Sequence, residues 1–279
     1  MLFAGFCVVI AASWLLPAPE QKVVFMDVGQ GDSILLQDRT AQVLIDGGQG
    51  DAVLRRLAEE MPYLDRTIEI VILTHPQRDH LEGLLHVLER YNVQLVLMPE
   101  VEYDSQLYAE WLSMLDTYHV PIKFARDGQR LHVGEMEFNV LWPAENPAAL
   151  AAILSDVNNA SVSTRVDYGE MSFLLTGDAE KRVESMLVQR ARAGILDVDL
   201  LKAGHHGSNT STYEPLLKAA SASAVVVSVG SGNTFGHPHP DVLARVGDLP
   251  IWRTDQSGSV RFVRQDGRWF VHEADKNVQ

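Results

Sequence analysis

The chain contains a single cysteine, Cys7, among its 279 residues. This scarcity excludes an intramolecular disulfide and every metal site built from cysteine thiolates. Basic residues are also few, because 23 lysines and arginines stand against 37 aspartates and glutamates and leave a formal net charge of −14. Such a charge argues against a nonspecific nucleic-acid binder that works by neutralising phosphates. Any contact with a polyanion must therefore pass through bound cations or a local basic patch.

The N-terminal segment differs in composition from the rest of the chain. Residues 2–16 are uncharged and almost wholly apolar, although slightly short of the roughly 20 residues that span a bilayer. No basic stretch precedes them, and the sequence from Trp14 to Pro19 resembles a helix end at a membrane interface more than a signal-peptide cleavage site. We predict the end of a transmembrane helix, with a buried N-terminal helix as the alternative. The predicted divisions are a transmembrane end 1–17, a linker 18–22, a soluble domain 23–273 and a tail 274–279.

From Val23 onwards, short apolar runs alternate with segments whose apolar residues recur at helical spacing. The predicted strands are 23–28, 33–37, 43–46, 68–73, 94–98, 122–125, 136–142, 161–168, 171–175, 198–203, 224–229, 259–263 and 269–273. The predicted helices are 51–61, 81–88, 105–118, 180–193, 212–220 and 240–246. Both halves place strands first and helices after, which predicts one α/β domain of two sheets packed face to face with helices outside.

Candidate ligands cluster next to the predicted strands. His75, Asp79 and His80 follow the strand 68–73. The other polar segments at strand ends are 158–161, 176–178 and 204–206, with the sequences Asn-Asn-Ala-Ser, Thr-Gly-Asp and Gly-His-His. Singly, the aspartate would be read as a turn residue and the histidine pair as a helix cap. Together, imidazole and carboxylate at strand ends predict a site for a borderline divalent metal such as zinc or manganese.

These segments resemble the motifs of the metallo-β-lactamase superfamily. The motif of that family is His-x-His-x-Asp-His, followed by a third histidine, a bridging aspartate and a final histidine. The residues that match it directly are His75, Asp79, His80 and Asp178, and the final histidine is His205 or His206. Gln77 replaces the second histidine, and the segment 158–161 occupies the position of the third. The resemblance implies a four-layer αββα sandwich.

Two further motifs are similar to one branch of that superfamily, the C-terminal domain of the ComEC family of inner-membrane DNA-uptake channels. They are Asp27-Val28-Gly29-Gln30-Gly31-Asp32-Ser33 and Gly236-His237-Pro238, and the resemblance runs from about residue 23 to residue 271. It implies three partners: DNA as a single strand or as the non-transforming strand, the channel portion of a longer protein, and the membrane through the N-terminal segment. The implied location is the inner membrane, with the domain favoured on the periplasmic side.

The ligand set implies two divalent cations. One site would use Asp79, His80, Asp178 and the final histidine, and the other would use His75 and Asp178. Weak metal or substrate contacts are expected from Gln77, Asn158 and Ser161. Because the second site is rich in amide and hydroxyl oxygen, it favours Mn²⁺, with Zn²⁺ or Mg²⁺ as alternatives.

Phosphodiester hydrolysis fits this ligand set, so the leading hypothesis is a nuclease that acts on incoming DNA during transformation. Asp79 and His237 are the predicted catalytic residues, and His237 would donate a proton to the leaving oxygen or hold a phosphate. The alternatives are a hydrolase of another ester, such as a phosphorylcholine esterase or a lactonase, and a non-catalytic DNA-binding or gating domain. Lys202 is interpreted either as a phosphate contact or as an ordinary strand lysine.

Overall fold

The computed structural model describes residues 20–144 and 156–273. The predicted transmembrane end 1–17, the predicted tail 274–279 and residues 145–155 lie outside these ranges. Among the described residues, no helix combines the length and the apolar character needed to cross a membrane.

The fold contains two large mixed sheets. The strands of the first sheet are, in spatial order, β17 (Arg268–Glu273), β16 (Val260–Gln265), β1 (Gln21–Phe25), β2 (Ile34–Asp38), β3 (Ala41–Ile45), β5 (Ile70–Ile72), β7 (Val96–Met98) and β8 (Ile122–Phe124). Its pairs are antiparallel from β17 to β3 and parallel from β3 to β8. A separate short ribbon pairs β4 (Thr67–Ile68) with β6 (Asn92–Val93) in parallel.

The second sheet repeats this arrangement. Its strands are, in order, β15 (Ile251–Arg253), β14 (Ala224–Val227), β13 (Leu200–Lys202), β12 (Met171–Leu175), β11 (Ser163–Tyr168), β10 (Met136–Trp142) and β9 (Arg130–Val133). Strands β12 to β15 are parallel, and β9 to β12 are antiparallel. Each sheet therefore has a parallel half whose strands end at one edge, where a site can be built from several loops.

The main core lies between the two sheets. Phe25 and Phe262 of the first sheet and Phe173 of the second belong to one buried cluster. The ring of Phe262 meets the rings of Phe25 and Phe173 edge to face, with 6.0 and 6.1 Å between centroids, respectively. Along β1, Val23 and Phe25 face this core, while Val24 belongs to the cluster beneath the helices. Both faces of the strand are thus buried, which explains its continuous apolar run.

Helices cover the outer face of each sheet. Those on the first sheet are α1 (Ala52–Glu60), α2 (Arg78–Arg90) and α3 (Gln106–Thr117). Those on the second sheet are α4 (Lys181–Arg190), α5 (Glu214–Ala220) and α6 (Pro240–Val246), and a short helix α7 (Thr254–Ser257) follows β15. The order helix, sheet, sheet, helix agrees with the predicted sandwich.

The structure differs from the predicted elements in three respects. Strand β1 begins two residues inside the predicted linker 18–22, because Gln21 and Lys22 pair with β2 and the ammonium of Lys22 bonds the carboxylate of Glu60 at 3.0 Å. Helix α2 starts three residues earlier than predicted, so it includes Asp79 and His80. Strands β9 and β15 and helix α7 were not predicted, because their short sequences are more polar than the other apolar runs.

Helix α2 lies unusually close to the loop after β3. Gly47 donates a hydrogen bond to the carbonyl of His80 at 2.7 Å, and Gly83 donates one to Gly48 at 3.0 Å. A Cβ atom at Gly83 would overlap the carbonyl oxygen of Gly47. This contact fixes the position of the N-terminal turn of α2, which carries the candidate ligands, relative to the loop after β3.

Gly83→Ala is therefore expected to destabilise the protein, although alanine is the better helix former by roughly 0.5–1 kcal/mol. Overpacking of this kind costs about 1–3 kcal/mol. Urea unfolding should show a lower midpoint for the variant, whereas the exposed α3 substitution Glu110→Ala should leave it nearly unchanged. A Gly83→Ala protein that is more stable than wild type would contradict the close approach.

Candidate metal centre

The candidate ligands meet at the carboxyl ends of the parallel strands of both sheets. His75 follows β5, and His80 lies in the first turn of α2. Asp178 follows β12, and His206 lies in the 3₁₀ turn after β13. Residues more than 100 positions apart in the sequence are thus brought to one edge of the sandwich.

Five buried polar atoms at this edge face one another without a hydrogen-bond partner among the described residues. They are Nε2 of His75, His80 and His206 and both carboxylate oxygens of Asp178. Oδ2 of Asp178 lies 3.2 Å from Nε2 of His80 and 3.2 Å from Nε2 of His206. Buried polar groups that lack partners are rare in folded proteins. Imidazole nitrogens and carboxylate oxygens are also the donor set of zinc and manganese sites, so these residues fit divalent cations.

Asp46 fixes the orientation of His80. Its Oδ2 lies 2.8 Å from Nδ1 of His80, so the ring presents Nε2 to the centre. Asp46 in turn accepts hydrogen bonds from the backbone N–H of Thr74 at 2.8 Å and from its hydroxyl at 2.6 Å. A carboxylate behind a histidine is a recurrent support for metal ligands, because it sets the tautomer and raises the basicity of the ring.

The structure separates the two adjacent histidines that the sequence left as alternatives. His206 is buried, and its Nδ1 lies 3.0 Å from the carbonyl of Ser228, which directs Nε2 towards Asp178 and Asp79. The ring of His205 is 23% exposed, and its Nε2 is 3.8 Å from Asp178. Both residues have positive φ angles, 48° and 54°. This unusual backbone turns the two rings in different directions, so that His206 rather than His205 presents a buried Nε2 to the centre.

Ser161 lies behind His75. Its hydroxyl oxygen accepts a hydrogen bond from the backbone N–H of Asp178 at 3.0 Å and lies 3.3 Å from Nδ1 of His75. The hydroxyl therefore contacts the nitrogen of His75 that faces away from the centre. Asn158 is buried in the adjacent 3₁₀ turn, and its side-chain oxygen has no hydrogen-bond partner in the described part of the chain.

A buried ion pair lies beneath the centre. Nζ of Lys202 is 2.6 Å from Oδ2 of Asp32, and both side chains are 1% exposed. Lys202 also donates to the carbonyls of Gly177 and Ala203 at 3.2 and 3.1 Å. The other oxygen of Asp32 lies 3.4 Å from Nδ1 of His206. Lys202 is thus neither a surface lysine nor exposed to a substrate phosphate.

The turn that carries Asp32 packs against the start of α2. The N–H of Asp32 donates to the carbonyl of Asp79 at 3.2 Å, and a Cβ atom at Gly31 would overlap that carbonyl oxygen. The φ angle of Gly31 is 122°, which L-residues with a side chain rarely adopt. Glycine is therefore required where the two loops meet.

The charges at the centre are strongly coupled. Burial alone would lower the pKa of His80, but the carboxylates of Asp178 and Asp46 outweigh it and hold that pKa well above its usual value. Burial alone would raise the pKa of Asp178, but His206 and His80 hold it well below the usual value. Burial and the neighbouring His80 lower the pKa of His75 to about 3. His75 is therefore a neutral ligand, whereas a cation must displace protons from His80 and His206.

Four combinations of these residues bring ligand atoms within 4.8 Å of one another. They are His75/His80/Asp178, Asp79/His80/His206, Asp32/Asp178/His206 and Asp32/Asp46/His80. The last two contain Asp32, whose charge the ammonium of Lys202 already compensates. The first two remain as candidate cation sites. Both contain His80, but Asp46 holds its Nδ1, so the single remaining ring nitrogen can ligate only one ion.

An open cleft of about 260 Å³ leads to the centre. Its lining includes Asp79, Gln77 and His237. Burial and the neighbouring His205 lower the pKa of His237, so its ring is neutral at neutral pH. Its Nδ1 has no hydrogen-bond partner within the described ranges. The two catalytic candidates, Asp79 from the first half of the chain and His237 from the second, thus both line the cleft.

The sequence pattern did not identify the supporting roles of Asp46, Asp32 and Lys202. Asp46 directly follows β3 and Lys202 ends β13, whereas Asp32 lies in the turn before β2. The partner is 34 positions away for Asp46 with His80 and 170 positions away for Asp32 with Lys202. Such pairings depend on the tertiary arrangement of the loops.

Comparison with known proteins agrees with this geometry. A family model described as the Metallo-beta-lactamase superfamily matches residues 26–231. ComE operon protein 3 of Bacillus subtilis is 28% identical over 92% of this chain and 35% of its own length. Competence protein ComA of Neisseria gonorrhoeae is 29% identical over 94% of this chain and 35% of its own length. The chain thus spans about a third of the length of these relatives.

Among solved structures, the metallo-beta-lactamase fold protein YhfI of Bacillus subtilis is similar in fold. It has a TM-score of 0.57 and 14% sequence identity, and the match covers 90% of this chain and 99% of that one. The relatives named as competence proteins confirm the resemblance to a ComEC-like domain. The family match over most of the described residues and the convergent histidine and aspartate ligands show that this chain belongs to the metallo-β-lactamase superfamily.

Proposed function

We propose that this domain is a metal-dependent phosphodiesterase that hydrolyses DNA during DNA uptake. The observation that carries the proposal is the convergence of buried ligand-type atoms of His75, His80, His206 and Asp178 at the base of an open cleft, none with a hydrogen-bond partner among the described residues. The similarity to competence proteins supports DNA as the substrate.

The proposed cation ligands fall into two overlapping sets. Asp79, His80 and His206 would hold one ion, and His75 would hold the other, with the two carboxylate oxygens of Asp178 available to both. Two divalent cations at such a centre supply Lewis acidity for hydrolysis and neutralise charge on a phosphoryl group. Cations at the base of the cleft would thereby reduce the electrostatic repulsion between the acidic chain and an anionic substrate.

His237 is the proposed proton donor or acceptor. Its neutral ring lines the cleft, and its Nδ1 has no partner among the described side chains, so it is available to a substrate oxygen. A neutral imidazole has a free lone pair that can accept a proton at neutral pH. Asp79 lies on the same wall, and the neighbouring His206 and His80 hold its pKa below the usual value despite burial. It therefore remains ionised and can orient a nucleophile or a cation.

The identity of the preferred metal follows from the position of Gln77. This residue stands where the family motif has a second histidine, and its side chain lines the cleft. With His80 assigned to the other ion, the ring of His75 is the sole imidazole among the proposed ligands of its site. An amide oxygen in place of an imidazole favours Mn²⁺ over Zn²⁺.

The proposed biological setting is a longer membrane protein. Residues 23–273 would form its hydrolytic domain, and residues 1–17 would be the end of its channel portion. The relatives, which are about three times as long as this chain, support that arrangement. We propose that the domain lies on the periplasmic side of the inner membrane and degrades the non-transforming strand.

The proposal predicts Mn²⁺-dependent hydrolysis of a labelled single-stranded oligonucleotide by the full 279-residue chain purified in detergent. Asp79→Ala should lower the rate at least about 100-fold, because a group that positions the cation or nucleophile is lost. Asp116→Ala removes an exposed carboxylate from α3 and is the matched control, which should retain the wild-type rate. Rates are measured by gel electrophoresis with and without EDTA.

The alternatives give different results in the same preparation. A phosphorylcholine esterase or a lactonase would hydrolyse those esters and leave DNA intact. A gating domain would bind DNA and hydrolyse none of these substrates. Undiminished DNA cleavage by Asp79→Ala in EDTA would exclude the metal-dependent mechanism.

A further inference from the structure

An exposed aromatic side chain stands at the mouth of the cleft. Phe235 lies in the loop between β14 and α6, and it is 67% exposed. Its ring stacks on the ring of His237 with 5.9 Å between centroids and 18° between planes. The two rings are thus nearly parallel, and the phenyl ring, which lines the cleft, remains largely exposed.

The loop that carries Phe235 is held in a defined conformation. The side-chain amide of Asn233 donates to the carbonyls of Gly230 and His237 at 3.1 and 2.8 Å, and its oxygen accepts from the N–H of His237 at 3.0 Å. The N–H of Gly230 also donates to the side chain of Gln30 at 3.2 Å. The phenyl ring is thus presented on a preorganised loop, which lowers the entropic cost of binding a ligand against it.

The rest of the cleft is lined largely by polar side chains. Its lining includes three amide side chains and one guanidinium, namely Gln30, Gln49, Gln77 and Arg78. Amides can bond the edge of a planar heterocycle, and a guanidinium can contact a phosphate. A nucleotide supplies a flat ring, polar edges and a charge in one molecule, which matches this polar lining better than an apolar ligand does.

We propose that Phe235 is a stacking platform for the base of the nucleotide next to the phosphate that is hydrolysed. This inference rests on the proposed function and adds a substrate feature to it. Because a base inside a duplex already has neighbours on both faces, the exposed ring of Phe235 selects unpaired nucleotides, as in a single strand or a frayed end. The site would accept any base, since every base has a π-face.

Binding of uncleavable substrates tests the platform separately from catalysis. Phosphorothioate oligonucleotides of one length, either intact or fully abasic, are titrated with the Mn²⁺-loaded full chain by fluorescence anisotropy. We expect the intact strand to bind roughly tenfold more tightly than the abasic strand. In Phe235→Ala this ratio should fall below about twofold, and Phe235→Trp should restore it. Phe270→Ala, which removes an exposed phenylalanine from β17, is the matched control.

The outcomes separate the two proposals. A chain that cleaves DNA but binds both strands equally would overturn the platform and leave the nuclease proposal intact. A chain that prefers the intact strand through Phe235 but never cleaves would support the platform and overturn the nuclease proposal. Unchanged preference in Phe235→Ala would exclude this ring as the stacking surface, and binding of neither strand would overturn both proposals.

Discussion

Asp178→Asn is expected to abolish binding of the divalent cations and to lower hydrolysis more than about 100-fold. Both oxygens of Asp178 are buried and lack a hydrogen-bond partner in the described part of the molecule. Oδ2 lies 3.2 Å from Nε2 of both His80 and His206. Asparagine has nearly the same size, but it supplies one neutral oxygen and an N–H₂ group where two charged oxygens face the centre. Elemental analysis after loading with Mn²⁺ measures the bound metal directly.

The same substitution at a remote carboxylate provides the control. Asp248 is exposed in the turn after α6, so Asp248→Asn should keep the wild-type metal content and activity. Circular dichroism shows whether Asp178→Asn retains the fold. A folded Asp178→Asn protein that still binds two Mn²⁺ ions per chain would contradict the central position of Asp178.

Lys202→Met is expected to destabilise the metal-free protein by about 3–5 kcal/mol, because it removes one partner of a buried ion pair. Asp32 is 1% exposed, and burial would raise its pKa, but Lys202 and then His206 lower that pKa to about 2. Without the ammonium, the buried carboxylate keeps only His206 at 3.4 Å and His80 at 4.0 Å as positively charged neighbours. Methionine fills a similar volume, so the loss measures the charge rather than the packing. Urea unfolding in EDTA gives the free energy of unfolding.

A double variant and a surface pair make this prediction specific. Asp32→Asn combined with Lys202→Met removes both charges and should recover part of the lost stability. Lys218 forms an ion pair with Glu214 on the surface of α5, and Lys218→Met should cost about 1 kcal/mol or less. If Lys202→Met unfolds at the same urea concentration as wild type, the ion pair does not support the loops beneath the centre.

The sequence by itself determined which segments form the buried strands and identified the candidate ligands of the first half of the chain. The mostly apolar runs at 68–73 and 171–175, each with one polar residue, predict buried strands because both faces of a strand inside a sandwich are covered. The spacing of His75, Asp79 and His80 places them on one strand end and the first helical turn after it. Both features are local, because each depends only on residues within a few positions of one another in the sequence.

Only the tertiary structure decided which residues complete the centre. The choice of His206 over His205 depends on positive φ angles and on the carbonyl of Ser228, which lies on another strand. The support of His80 by Asp46 and the pairing of Lys202 with Asp32 join loops from different strands. No local pattern specifies these contacts, because their energies arise from burial and from charges that meet only after the two sheets pack.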